Sequence, residues 1–359
     1  MQARIVLLPG DGVGPEVVAA AAAVLERTGA QFQHRFTLEP HDIGGAALRR
    51  NLPPLPDETL QACETADAVL LGAVGDPAFD DRPPGQRPES ALLQMRRHLK
   101  LFANLRPARV WRGLDGAGPL KPEVLSGTDM LVVRELTGGL YYGEPRGIEA
   151  DGSAAWNTMR YSRMEIERIA RVAFDAARTR RRRVTSVDKA NVLETSRLWR
   201  QVVAGVAREY PDVALDHMYV DSCAMKIALA PAAFDVILTE NLFGDILSDE
   251  AGAVVGSLGL LPSASVGEGP GLFEPVHGSA PDIAGRNIAN PIGAVLSAAM
   301  LLRHALKLDD EAAAIEAAVA AALDAGHRTA DIAAGRSAIG TREMASAIAD
   351  AVVTGAVRR

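Results

Sequence analysis

Short aliphatic and β-branched runs alternate along the chain with longer stretches whose apolar positions recur every three or four residues. Ile5–Leu8 precedes a helical pattern over Pro15–Leu25, and Ala68–Leu71 precedes one over Glu89–Leu99. The alternation resumes with Val184–Val187, a helical pattern over Ser196–Tyr210, and a further run over Val213–Val220. Val236–Thr239 is then followed by another helix, NLFGDILSDE. Strands that alternate with helices predict an α/β protein built on a largely parallel sheet. The segment from 140 to 161 breaks this rhythm, with Gly-rich turns around YYGEPRG and then WNTMRYS. It predicts a protruding antiparallel hairpin, an arm suited to a partner. From Asn290 onward the pattern is amphipathic or Ala-rich helix. No repeat period and no low-complexity linker divides the chain, so a second domain is expected to be inserted into the first.

Composition narrows the picture. With 359 residues there is length for two domains and a large core. Hydrophobic residues make up 48% and aromatic residues only 4%, so the core is expected to be aliphatic. A net charge of -7 argues against general nucleic-acid affinity. The one basic run, Arg178-Thr179-Arg180-Arg181-Arg182-Arg183, follows a helical pattern and reads as a solvated helix C-terminus, where cations are favoured. Cys63 and Cys223 stand far apart in no metal-like spacing, which predicts a reducing compartment and no disulfide. The start, MQARIVLLPGDG, reads as a first strand and not as a secretory segment. Ala251–Gly267 is uncharged but rich in Gly and Ser, a poor membrane span, so the expectation is a cytoplasmic protein.

Several motifs carry candidate chemistry. Asp245 and Asp249 lie four residues apart in a helical pattern and so share a face. Two carboxylates on a half-buried face need a positive partner, so the pair is either a solvated helix face, a helix cap, or a divalent metal site. Gly10-Asp11-Gly12-Val13-Gly14-Pro15 resembles a dinucleotide fingerprint only in part, because Pro15 occupies the place of its third glycine. Those glycines mark a tight strand-to-helix turn. Lys189 in VDKAN and Asp221 each follow a predicted strand, at the edge where ligands of α/β sheets gather. Asp221, Asp245 and Asp249 together would suit Mg²⁺, which takes one or two carboxylates plus waters and substrate. Arg96, Arg106 and Arg134, the last two at strand ends, are guanidiniums able to grip carboxylates in bidentate fashion. A substrate with two carboxylates, held beside a metal, is the chemical picture. The loop Phe273–Gly285 is rich in Gly and Pro yet carries specific polar groups. Its Asp282 is a candidate acceptor for an adenosine ribose hydroxyl, which would select NAD over NADP.

The segments GDGVGPE, LFANLRP, RELTGGLYYGEPRG, VDKAN, NLFGDILSD, GSLGLLPSAS and EPVHGSAPDIAG occur in this order, with RTADI and GTREM near the C-terminus. In them the chain resembles the isocitrate/isopropylmalate family of β-decarboxylating dehydrogenases of 2-hydroxy acids, over essentially its whole length. The resemblance implies a two-domain fold of that family's type, with a mostly parallel twisted sheet lacking the classical Rossmann fingerprint. One domain would be formed by residues 1–101 plus 256–359 and bind the cofactor. Residues 102–255 would form an inserted dimerisation and substrate/metal domain carrying the arm at about 140–161. It further implies a homodimer in which Lys189, Asn191 and Asp221 of one subunit face Asp245 and Asp249 of the other. Asp221, Asp245 and Asp249 would hold Mg²⁺ or Mn²⁺.

The implied reaction is NAD-dependent oxidative decarboxylation of 3-isopropylmalate, a step of leucine biosynthesis. Lys189 would take the 2-hydroxyl proton, Tyr141 would protonate the carbon left by CO₂, and Arg96, Arg106 and Arg134 would hold the substrate carboxylates, with Asp221 and Asn191 beside them. Substrate choice would turn on the helix from Glu89 to Met95: Leu92 and Leu93, with Val192, offer an apolar wall where isocitrate-using relatives carry a serine and an asparagine. Glu89 would approach the nicotinamide side. Glu274, His277, Gly278, Ser279, Ala280, Asp282, Ile283 and Asn290 would bind NAD, with Asp282 and Ile283 matching the NAD-using branch. Glu240, where relatives often have glycine, and Cys223, close after Asp221, depart from the pattern. The alternatives are the same chemistry on tartrate, malate or a longer alkylmalate, a metal-dependent hydrolase, and an idle homologue.

Overall fold

The computed structural model describes residues 1–114, 118 and 120–356, so parts of both expected domains, residues 115–117, 119 and 357–359, lie outside the described residues. Its strands are β1 (Gln2–Gly10), β2 (Arg35–Pro40), β3 (Ala68–Ala73), β4 (Leu101–Arg109), β5 (Asp129–Glu135), β6 (Gly147–Ile148), β7 (Ala155–Trp156), β8 (Arg183–Asp188), β9 (Ala214–Tyr219), β10 (Val236–Thr239), β11 (Pro262–Gly267) and β12 (Leu272–Pro275). The chain falls into two compact units. One comprises Met1–Leu101, Trp111–Pro119 and Gly256–Arg359, and the other Phe102–Val110 and Leu120–Val255. No helix among the described residues is long and apolar enough to cross a membrane.

In the first unit the strand order is β2-β1-β3-β12-β11, parallel except for the β11–β12 pair. Every residue of β3 is buried, as befits a parallel strand covered on both faces. The helix Ile292–His304 is buried along Ile292–Leu302, apolar all round because it is packed inside the unit. The turn after β1 uses the predicted glycines: Gly10 and Gly12 take φ of +68° and +59°, a region costly for other residues. A Cβ on Gly12 would lie 1.8 Å from the carbonyl oxygen of Ser279, so this turn also lets the later loop approach. Asp11, buried, accepts the backbone N–H groups of Gly45, Ala46 and Gly75 at 2.8–2.9 Å, tying three connections together at the carboxyl edge of the sheet.

In the second unit the order is β4-β5-β10-β8-β9, with β4 antiparallel to β5 and the others parallel. The helix Arg163–Arg178 shows how local chemistry specifies an element. Ser162 and Glu165 form a reciprocal capping box at its start. Ile166, Ile169, Ala170, Ala173, Phe174 and Ala177 recur at helical spacing and are all buried. The arm is a two-stranded antiparallel ribbon of β6 and β7, leaving Ile148 72% and Trp156 42% exposed. The basic run is the expected helix end: Arg178, Arg181, Arg182 and Arg183 are exposed and only Arg180 is half-buried. Its helix stops at Arg178, and the arginines beyond are tied down: Arg180 to Asp129 and Asp235, Arg181 to Asp235, and Arg183 to Asp216. Asp235 is buried, and the half-buried Arg180 is its nearest ion-pair partner, at 2.9 Å.

Candidate active site

Because β5, β10, β8 and β9 run parallel, their carboxyl ends lie along one edge of the second unit. Arg134 near the end of β5, the helix Asn241–Val255 after β10, Lys189 after β8 and Asp221 after β9 all follow from that topology.

Asp245 is the hub. Its Oδ1 pairs closely with Arg134 Nη1 and lies 3.4 Å from Arg106 Nη1, and its Oδ2 accepts the Tyr141 hydroxyl at 2.5 Å. Arg106 Nη1 is also 3.5 Å from Asp249 Oδ1, so one guanidinium stands between the two carboxylates that share a helix face. The positive charge demanded by that pair is supplied in part by the chain itself. Burial pushes the Asp245 carboxyl up, but Arg134, the Tyr141 hydroxyl and Arg106 outweigh it and hold it below its ordinary value. At Asp249 burial wins over Arg106, reinforced by the charge of Asp245, and its carboxyl is raised. Tyr141 is raised as well, by burial and by its bond to Asp245, and so holds its proton firmly.

Side chains that sequence reading did not single out fix these groups. Arg134 gives Nε and Nη2 to Asn241 Oδ1 at 3.0 and 2.7 Å, and Asn241 Nδ2 returns a bond to the Gly138 carbonyl at 3.1 Å. Arg106 donates Nε to Asn104 Oδ1 at 2.8 Å and Nη1 to Ser248 Oγ at 2.7 Å. Spacing holds the signal for them: 241, 245, 248 and 249 lie on one helix face, and 104 and 106 on one face of a strand. Glu240 caps the same helix, its carboxylate accepting the N–H groups of Leu242 and Phe243 at 3.2 and 2.6 Å and the Tyr161 hydroxyl at 3.2 Å. Burial raises its carboxyl in spite of those donors.

Lys189 Nζ lies 2.5 Å from Asp221 Oδ1, a partnership that lowers the exposed Asp221 carboxyl. Asn191 and Val192 beside them are exposed. Two carboxylates on a helix face, with waters and substrate, form a donor set that suits a hard divalent cation. Among the described residues no three His, Cys, Asp or Glu side chains cluster to hold a metal, so Asp221 does not join Asp245 and Asp249 within one chain.

The remaining expected residues lie in the first unit. Arg96 is buried, with Nη2 bonded to Glu274 Oε1 at 2.8 Å, so each of these two has the other as partner. Leu92 is packed against an apolar core cluster, Leu93 is half-buried, and Glu89 is exposed. A Cβ on Gly75 would meet Glu89 Oε1 at 3.1 Å and Ser279 Oγ at 3.3 Å, which places Glu89 and Ser279 about the same bare backbone. In the loop after β12, Gly278 has no atom within 4 Å of where a Cβ would stand, Ala280 takes a φ of +40°, and Asp282 is exposed with Ile283 half-buried beside it. His277 Nε2 is buried and lacks a partner in the protein, a polar atom that a bound nucleotide can satisfy. The donor set therefore fits a dinucleotide. Asn290, expected in the same group, bonds Asp331 through Nδ2 at 3.0 Å and accepts the Ile292 N–H at 3.0 Å.

The family model described as isocitrate/isopropylmalate dehydrogenase matches residues 4–348. The chain is 58% identical over 346 residues to a 3-isopropylmalate dehydrogenase of Gloeobacter violaceus, covering 95% of this chain and 96% of the relative. It is 53% identical over 357 residues to that of Escherichia coli strain K12, covering 98% of each. Among solved structures it resembles an isocitrate dehydrogenase from Methylococcus capsulatus at 40% identity and a TM-score of 0.88, over 98% of this chain and 99% of that one.

Proposed function

The chain belongs to the isocitrate/isopropylmalate dehydrogenase family, and from that premise we propose that it oxidises and decarboxylates 3-isopropylmalate with NAD⁺, in leucine biosynthesis. The observation that carries this is its full-length likeness to relatives of that name. Leu92 and Leu93 agree with it, since an isopropyl group suits an apolar wall and a third substrate carboxylate there would be left unpaired.

In this reading Arg106 and Arg134, with Arg96, hold the substrate carboxylates, and Lys189 takes the 2-hydroxyl proton directly or through a water. Asp245, Asp249 and an Asp221 hold the divalent ion, and Glu274, His277, Gly278, Ser279, Ala280, Asp282, Ile283 and Asn290 form the dinucleotide site, with Glu89 on its nicotinamide side. When bound, the dinucleotide would supply the hydride acceptor and Mg²⁺ or Mn²⁺ would supply Lewis acidity toward the substrate oxygens. Tyr141, kept protonated by burial and by Asp245, gives its proton to the carbon that CO₂ leaves.

The working unit is a homodimer, each site drawing Lys189, Asn191 and Asp221 from a second copy. Support comes from the absence of a three-carboxylate cluster among the described residues of one chain. It also comes from Met225, Leu229 and Ile246, which leave 61%, 67% and 56% of their surface exposed on the helices Val220–Leu229 and Asn241–Val255. The test is NADH formation with Mg²⁺, NAD⁺ and 3-isopropylmalate, isocitrate, tartrate or malate in turn. Turnover of 3-isopropylmalate alone is expected, and faster turnover of another acid refutes the substrate. Lys189→Ala and Asp245→Ala, each inactive alone, regain activity when coexpressed if the site is shared, because a mixed dimer rebuilds one intact site. No recovery in an isolated mixed dimer refutes the sharing.

A further inference from the structure

The loop after β12 is moored to the rest of its unit by residues that carry no assigned role. The Ser279 carbonyl accepts the Val13 N–H at 2.7 Å. Glu16, in the first turn of the helix Gly14–Phe32, accepts the Gly285 N–H on Oε1 and the Asn287 N–H on Oε2, the latter at 3.1 Å. Asn287 is pinned in turn: its Oδ1 accepts the Arg342 N–H at 3.0 Å, its backbone carbonyl the Thr341 N–H at 3.1 Å, and its Nδ2 reaches Glu343 at 3.2 Å. Gly285 and Asn287 have φ of +74° and +56°, so the chain reverses through left-handed backbone just beyond Asp282 and Ile283. Gly and Asn adopt that region readily, so what fixes this particular turn is the set of bonds its N–H groups make. The carboxylate that holds both of its N–H groups is Glu16.

We propose that Glu16 is a positioning residue for dinucleotide binding. It holds the 285–287 turn and thereby sets how Asp282 and Ile283 are presented to the adenosine end of the cofactor. The proposal rests on the reading of those two residues as NAD contacts. A carboxylate is the group this geometry needs, because two N–H donors meet two oxygens that only accept. Glutamine at this place keeps the size but turns one acceptor into a donor facing a donor.

The experiment is steady-state kinetics of the whole enzyme, varying NAD⁺ and 3-isopropylmalate separately, on the parent protein, Glu16→Gln and Glu16→Asp. Loosening the turn lowers the fraction of binding-competent loop, and apparent affinity falls by that fraction. The expected result is a KM for NAD⁺ raised about tenfold in Glu16→Gln, on the scale of one lost charge-assisted hydrogen bond. Turnover at saturating NAD⁺ and the KM for 3-isopropylmalate should stay within about twofold. Glu16→Asp, too short to span both N–H groups, moves the same constant in the same direction and answers if Glu16→Gln fails to fold. A KM for NAD⁺ unchanged in both variants overturns the proposal, and a fall in Tm without that change marks a structural role only. A parent protein that forms no NADH removes the functional reading, and this inference with it.

Discussion

Gly244, in the middle of NLFGD, sets two effects of Ala substitution against each other. Inside a helix, Ala is better than Gly by about 1 kcal/mol. Here, however, a Cβ would stand 2.3 Å from Thr239 Oγ1 and 2.7 and 2.8 Å from Cγ and Cβ of Arg134. Ordinary carbon contacts lie at roughly 3.5–4.0 Å, so the helix must retreat by about 1 Å. Thr239 can rotate its hydroxyl away, whereas Arg134 is fixed at its far end by Asn241 and Asp245. Overpacking of this kind costs about 1–3 kcal/mol, so it outweighs the propensity gain. We expect Gly244→Ala to lose up to about 2 kcal/mol and, for a chain of 359 residues, up to roughly 3 °C in Tm. The same displacement carries Asp245 away from Arg106 and Tyr141, and a misplacement of about 1 Å costs on the order of 10²-fold in kcat/KM. Thermal denaturation followed by circular dichroism, together with NADH formation, checks both. A Gly244→Ala protein that is more stable than the parent and fully active would refute the reasoning.

Two further expectations follow from buried titrating groups. Burial, with Arg303 and Lys307 nearby, lowers the His304 pKa from 6.5 to about 4. Below pH 6.5 the unfolded chain takes up a proton that the folded chain refuses, so stability is full above that pH and declines toward pH 4, by up to about 3 kcal/mol. His304→Gln should flatten that part of the curve in urea unfolding at pH 7, 5 and 4, and an equally steep decline in the variant would count against it. Burial pushes the thiols of Cys63 and Cys223 up to about 12, so both should react slowly with a thiol reagent in the native protein and fast in urea. Rapid labelling of either cysteine in the native protein would contradict this, and Cys223 is then the one to watch for oxidation.

Much of the fold was legible because its signals are local. Val236–Thr239 was read to the residue, and β3 extends its predicted run by two residues. Alternation of strand and helix carried the class. The bounds of β1 were less legible: the strand begins at Gln2 and runs through Pro9 to Gly10, because pairing with β2 and β3 extends a strand beyond its apolar core. At the site, strand-end placement and helix-face spacing pointed to Asp245, Asp249, Arg106 and Arg134, four side chains that do meet. Spacing could not say that Arg96 has Glu274 as its buried partner 178 residues away. Nor could it tell that Arg180 and Arg181 pair with the buried Asp235, because that pairing exists only once β5, β8 and β10 lie side by side. Long-range charge pairing leaves no periodic trace.

The placing of Arg106 between Asp245 and Asp249, with Arg134 behind, bears on how the chain reaches its native state. Where ligands of one charge face only each other, a small metal domain stays unfolded until its ion arrives. This chain carries its own counterions, so the helix Asn241–Val255 docks on its unit with both carboxylates already opposed by guanidiniums, and its placement does not wait for an ion from outside.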